Sequence, residues 1–320
     1  MKKYYKNRYC IYLDQFAVSN LCEDHADWIE IKELLIKGVS TSKLFCPLST
    51  EHLLETSAKT EANAILQHNY FLSLSEGYCL RIEPFITAQL LISIIRQNNI
   101  TYNTFLSNKI KPTFSYKDSL TQFRSNRNDL TSMINEVVDP TNEFKATQRN
   151  KKVSIAARNG LMATHKFLNT EEFINRLQEL ITTKGIHIRA VEFETRRVAH
   201  WIDYILDILL KIHKMNSKEA KMLFEHLKKH GFNHISCLDV RTTMEAYSAV
   251  MQTSQSVNDQ IDILRIASGI QIADIMLTDK QRKFELTETG LADKYQTKIF
   301  CGTRGDIIAF AHELRSLCNT

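Results

Sequence analysis

Glycine and proline are scarce, 9 and 4 in 320 residues. Collagenous, propeller and loop-built β architectures depend on these residues at their turns, so the composition excludes them and favours a helix-rich or α/β fold. No apolar run approaches the roughly 20 residues that a bilayer crossing needs, and no membrane association is expected. The opening Met1-Lys2-Lys3-Tyr4-Tyr5-Lys6-Asn7-Arg8 is basic, but only about seven apolar-leaning residues precede Asp14, too few for a signal peptide. A cytoplasmic protein is the expectation. No C-x-x-C pair occurs among the seven cysteines (Cys10, Cys22, Cys46, Cys79, Cys237, Cys301, Cys318), which read as reduced, buried small hydrophobes. Neither G-x-G-x-x-G nor G-x-x-x-x-G-K-[ST] is present, which counts against dinucleotide binding and P-loop chemistry. Asp14-Gln15-Phe16 lacks the second Asp of a phosphatase-type D-x-D.

What is present is the mixture of a globular chain, 43% hydrophobic and 24% charged, with a net charge of +5 that is unevenly spread. Between Arg96 and His230 there are 23 Lys and Arg against 14 Asp and Glu; the remainder has 18 against 22. A basic middle between weakly acidic flanks suits a chain in which one part attracts polyanions and another collects carboxylates.

Tyr9–Leu13 reads as a buried strand delivering Asp14 at its end, and Leu44–Leu48 as a second strand, followed by Ser49 as N-cap of a helix through Glu55. Helical spacing is visible over 28–39, 61–74, 87–95, 200–212 (with Ile202, Ile205, Leu206, Leu209 and Ile212 on one stripe) and 216–229. Residues 98–117 lose periodicity. After Gly231 an α/β rhythm returns: a strand at His234–Leu238, helices at 239–251 and 259–269, strands at Ile272–Leu277 and Lys298–Cys301, and a helix at 306–317. The expected organisation is an α/β core contributed by residues 1–95 and 232–320, around a basic, mainly helical insertion at 96–231.

Open parallel sheets bind ligands at the carboxyl edge of their strands. The polar groups expected there are carboxylates: Asp14, Glu55, Asp259, Asp262 and Asp279. Acids converging on an apolar edge repel one another unless divalent cations neutralise them, which points to Mg²⁺ or Mn²⁺ and to phosphoryl transfer. Taken singly, each also reads as structural: Asp14 as a turn cap, Glu55 on a solvated face, Asp259 as a helix-start acid.

The strings Ile11-Tyr-Leu-Asp14-Gln-Phe-Ala-Val-Ser19, Ser49-Thr-Glu-His52-Leu-Leu-Glu55, Asn258-Asp259-Gln-Ile-Asp262 and Asp274-Ile-Met-Leu-Thr278-Asp279 resemble the PIN-like nuclease superfamily in residue type and spacing. Ser49 precedes Glu55 by six positions and Asp262 precedes Thr278 by sixteen. The resemblance covers roughly 9–95 and 232–320. It implies a three-layer Rossmannoid α/β fold with a central parallel sheet. It also implies catalytic, metal-binding carboxylates at Asp14, Glu55, Asp262 and Asp279, with Thr278 as a polar support. Asp259 competes with Asp262, and Asp274 more weakly with Asp279. The implied activity is a Mg²⁺- or Mn²⁺-dependent endoribonuclease in which a metal-activated water attacks the phosphodiester, leaving a 3′-hydroxyl and a 5′-phosphate. RNA is a more expected substrate than DNA. A toxin or anti-phage defence role, an antitoxin or defence-system regulator as partner, and a homodimer are further implications. A catalytically silent binding module and a structure-specific DNA nuclease are the alternatives.

Substrate contacts are expected from Ser49, His52 and Thr278, with a packed or exposed helix histidine as the competing reading of His52, and from the insertion, where Lys109, Lys111, Lys117, Arg124, Arg127, Lys145, Arg149, Lys151, Lys152 and Arg158 are interleaved with Phe105, Phe114, Tyr116, Phe123 and Phe144. Cations follow a phosphate backbone while aromatics stack on unpaired bases; the same pattern also describes a solvated helical face with its core aromatics. His226-x₃-His230-x₃-His234, with Cys237 nearby, has a spacing that can hold zinc, but Gly231 is expected to end the helix before His234.

Overall fold

In this computed structural model the described residues are 7–107, 115–148, 154–183, 185–192, 197–251 and 254–319, without the side chains at 102, 133–141 and 143–148. In chain order the elements are β1 (Tyr9–Leu13), α1 (Gln15–Cys22), α2 (Ile29–Ser40), β2 (Leu44–Phe45), β3 (Leu48–Ser49), α3 (Thr50–Thr56), α4 (Glu61–Ser75) and β4 (Cys79–Leu80). They continue with α5 (Glu83–Arg96), α6 (Tyr102–Phe105), α7 (Tyr116–Gln148), α8 (Ile155–Thr183), β5 (Ala190–Glu192), β6 (Arg197–Ala199), α9 (Trp201–Lys211) and α10 (Ser217–His230). The last are α11 (Ser236–Val250), α12 (Val257–Gly269), β7 (Ile275–Leu277), α13 (Lys280–Glu288), α14 (Leu291–Lys294), β8 (Lys298–Phe300) and α15 (Arg304–Asn319).

The chain forms two compact units, one drawn from the ranges 1–81, 101–127 and 268–320 and the other from 82–100 and 128–267. The sequence pattern put its boundaries after residues 95 and 231; in the structure α5, α11 and α12 through Ala267 belong with the second unit.

The first unit is α/β. Its main sheet has the order β2-β1-β7-β8 with every neighbouring pair parallel, in a register that sets Ile11 against Ile275, Leu13 against Leu277 and Leu277 against Phe300. Parallel neighbours need long crossovers, and strands covered on both faces read as continuous apolar runs. Cys10–Leu13 and Ile275–Leu277 are accordingly buried along their whole length. Ile11, Leu13, Val18, Leu21, Leu35, Leu277, Phe310 and Leu314 form one core, each side chain contributing about 1.5–3 kcal/mol relative to exposure.

Among the described residues the second unit is nearly all helical, apart from the antiparallel pair β5–β6. Ile202, Ile205, Leu206 and Leu209 of α9 are fully buried, and Phe173 packs against Trp201 and Phe232 with ring centroids 6.3 and 5.9 Å apart. Two guanidinium groups, Arg176 and Arg189, hold the buried Asp203 at 2.9 and 3.0 Å.

Several expectations are corrected. Leu44–Leu48 is two strands, β2 on β1 and β3 on β4; Pro47 between them has no N–H for a ladder. His234–Leu238 is not a strand: Ser236 opens the single helix α11. That helix is buried on most sides, at Cys237, Leu238, Val240, Thr243, Met244, Ala246 and Tyr247, and a short apolar run cannot be told from a strand by periodicity. Ile212, placed on the α9 stripe, follows the helix end and is exposed. The strand before Asp279 is Ile275–Leu277 only.

All seven cysteines are free, and six are buried. Burial pushes the thiols of Cys46 and Cys79 up to about 12 and that of Cys22 to about 11, so they stay protonated at neutral pH. Among the described residues no helix is long and apolar enough to cross a membrane.

Candidate functional site

The carboxyl edge of the main sheet is built by adjoining ends of β1 and β7. The ladder runs one residue past each strand: the Asp14 N–H donates to the Leu277 carbonyl at 2.9 Å, and the Thr278 N–H to the Phe300 carbonyl at 3.0 Å. Asp14 and Thr278 are therefore the last paired residues on neighbouring strands, and the Thr278 hydroxyl donates to Asp14 Oδ2 at 3.2 Å. The other Asp14 oxygen accepts from the Gln15 N–H as N-cap of α1. A helix N-terminus stabilises a negative charge, which lets a carboxylate only 6% exposed sit at the end of an apolar strand.

Asp279 follows Thr278 and caps α13, accepting from the Arg282 N–H at 2.9 Å. Asp14 and Asp279 are thus carried on the carboxyl ends of paired strands, each at the start of a helix. Asp274 lies at the opposite end of β7, where its Oδ2 accepts from the Cys10 N–H at 2.9 Å; it ties the amino ends of the two strands together.

Ser49 caps α3 as expected, but it does so inside the core with His52. The His52 N–H donates to Ser49 Oγ at 3.3 Å and the Ser49 N–H to His52 Nδ1 at 3.1 Å, a reciprocal capping box. Both residues are fully buried. The His52 ring stacks between Tyr12 and Phe71, with centroids 5.5 and 4.4 Å away. Their position is that of a packed helix start, whereas Glu55, one turn further along α3, is half-buried.

Asp259 and Asp262 lie on α12 in the second unit. Asp259 Oδ2 accepts from both the N–H and the hydroxyl of Ser256 at 2.6 Å, closing the helix start. Asp262 pairs with the fully buried Arg265 one turn on.

Of the basic residues, Arg124 is engaged by backbone: Nε donates to the Ser57 carbonyl and Nη2 to that of Lys59, both at 3.0 Å, clamping the end of α3. Arg127 is half-buried, Lys117 pairs with Glu61 at 3.6 Å, and Arg158 is half-buried. Of the aromatics, Phe105 and Tyr116 are buried and Phe123 packs against the core. Lys109, Lys111, Phe114, Arg149, Lys151 and Lys152, and the side chains of Phe144 and Lys145, lie outside what is described.

A polar network beside Asp14 was not anticipated. Lys59 Nζ donates to Ser19 Oγ at 2.6 Å, Gln67 Nε2 to the same oxygen at 3.3 Å, and Gln15 Nε2 to Gln67 Oε1 at 2.7 Å. The available signal was that Gln15 and Ser19 stand four apart on α1, hence on one face, directly after the acid.

Among the described residues no group of three or more His, Cys, Asp or Glu is arranged to hold a metal ion. The donors at the sheet edge are nonetheless hard oxygens of the type Mg²⁺ takes, and Mg²⁺ is commonly held by one or two carboxylates, with water and substrate phosphates filling its other positions. Asp14 and Asp279 fit that requirement by donor type. No protein-family model matches this chain, and no curated protein or solved structure matches it significantly.

Proposed function

We propose that the chain is a PIN-like, Mg²⁺- or Mn²⁺-dependent endoribonuclease acting on single-stranded or looped RNA. The observation that carries this reading is the hydrogen bond from Thr278 to Asp14 at the carboxyl edge of a parallel sheet, with Asp279 next in the chain. Two acids at paired strand ends are what the motif resemblance requires of its first and last carboxylates. When bound by Asp14 and Asp279, a divalent ion supplies Lewis acidity and offsets the charge of the phosphodiester.

The chain's own groups do the positioning. Thr278 holds one oxygen of Asp14 and the α1 N-terminus holds the other, which orients the carboxylate. Lys59, already directed at Ser19, offers a cation to the phosphate backbone beside the reacting bond.

The test is incubation of total cellular RNA and of single-stranded DNA with the full chain, each with Mn²⁺ and with EDTA. The proposal predicts RNA fragments with 5′-phosphate ends in Mn²⁺ alone. Intact RNA retained by the protein on a filter in both conditions would contradict it and select a binding module; cleavage of DNA in preference to RNA would move the activity to the other nucleic acid.

A further inference from the structure

The second unit carries a histidine cluster outside the proposed nuclease site. Gly231 ends α10 as expected, with φ of 56° and its N–H on the Leu227 carbonyl at 2.8 Å. The chain then turns back instead of leaving: the Asn233 N–H reaches the His230 carbonyl at 3.4 Å and the Ile235 N–H the Phe232 carbonyl at 2.8 Å. This turn returns His234 to the helix end. The ring centroids of His226, His230 and His234 lie 4.8, 4.9 and 5.7 Å apart. Three imidazoles around a tetrahedral zinc ion, with Zn–N of about 2.0–2.1 Å, have centroids about 5 Å apart.

We propose that His226, His230 and His234 form a three-histidine site for a borderline transition-metal ion, Zn²⁺ first, with its fourth position open to water or an anion. As the rings stand, the three residues are not arranged to hold a metal ion. The χ2 torsion of histidine is broad, and rotation about it redirects the nitrogens while moving the centroids little. His226 Nε2 is buried and has no hydrogen-bond partner, and a buried imidazole nitrogen normally has one; a metal ion supplies it.

The experiment is calorimetric titration of ZnCl₂ into the full chain after EDTA treatment and dialysis, with Co²⁺ visible absorption as a second readout. Wild type, His230→Ala, His234→Ala and Asp14→Asn are compared; His234 is exposed, so its replacement leaves the fold in place, checked by the metal-free melt. The expected result is one Zn²⁺ per chain, a tetrahedral Co²⁺ spectrum, loss of about tenfold or more in affinity with either histidine variant, and no change with Asp14→Asn. Zn²⁺ binding that is absent in wild type, or that persists undiminished in both histidine variants and so belongs to other groups such as the cysteines, would overturn the proposal. The Asp14→Asn arm separates this outcome from failure of the carboxylate reading.

Discussion

Thr278 and Asp14, 264 positions apart in sequence, are joined by a hydrogen bond of 3.2 Å between neighbouring parallel strands. The contact exists because the β1–β7 register continues one residue beyond both strands. Thr278→Val keeps the shape and removes the donor. A hydrogen bond to a charged acceptor is worth about 1.5–3 kcal/mol, so the variant is expected to cut Mn²⁺-dependent RNA cleavage about tenfold or more at saturating RNA, with little change in RNA affinity. Unchanged kcat would show that Thr278 does not position Asp14.

Ser49 and His52 are expected to act on stability rather than on substrate. Ser49→Ala removes the N-cap of α3 and should cost about 1–2 kcal/mol, read as a lower urea midpoint at an unchanged m-value. Cleavage per folded molecule should stay at the wild-type level. A variant with unaltered stability but weakened RNA binding would restore Ser49 to the substrate surface.

Gly38 tests the seam between α2 and β2. A Cβ at this position would overlap the Leu44 side chain and come within 3.1 Å of Cys318 Sγ. Leu44 is fully buried in the core, so Gly38→Ala forces repacking and is expected to destabilise by about 1–3 kcal/mol. Equal or raised stability in a denaturant melt would contradict this packing.

The acid response has an identified contributor in Asp203. Burial raises its carboxyl, but hydrogen bonds from Arg189 and Arg176 outweigh that and bring it from the ordinary 3.8 to about 2. A lowered carboxyl stabilises the fold fully above its ordinary value and loses that contribution as pH falls through about 2. Asp203→Asn removes the charge that Arg176 and Arg189 share, leaving them their glutamate partners Glu179 and Glu172, and should cost about 2–3 kcal/mol at neutral pH. The gap to wild type should narrow between about pH 4 and pH 2, followed by urea midpoints. A gap independent of pH would show that the Asp203 charge is immaterial.

Legibility in the sequence followed the physics of each segment. The strand into Asp14 was readable because a run buried on both faces ends abruptly in an acid, and the Ser49 cap because a hydroxyl stands immediately before helical spacing. A packed helix histidine is one of the readings the sequence allows for His52, but its part in the capping box between Tyr12 and Phe71 has no periodic signature. The start of α11 reads as a strand because His234–Leu238 is a short run with Ile235, Cys237 and Leu238 buried ahead of Asp239, and so short a run carries no helical period. The β5–β6 pair went unseen because its strands are three residues each and half-exposed or exposed. His234 was set aside because a helix-ending glycine precedes it, and helical spacing cannot report a chain that turns back after the helix ends.

The proposed function makes Asp14 the indispensable acid of a metal-dependent nuclease. Asparagine caps a helix as well as aspartate does, so Asp14→Asn retains the start of α1 while removing the charge. The decisive measurement is RNA cleavage by wild type and Asp14→Asn in Mn²⁺, with Mn²⁺ affinity of both proteins measured by calorimetry. The expected result is metal-dependent fragments from wild type, none from the variant at an unchanged melting temperature, and weakened Mn²⁺ binding by the variant. Cleavage by Asp14→Asn at the wild-type rate would contradict it.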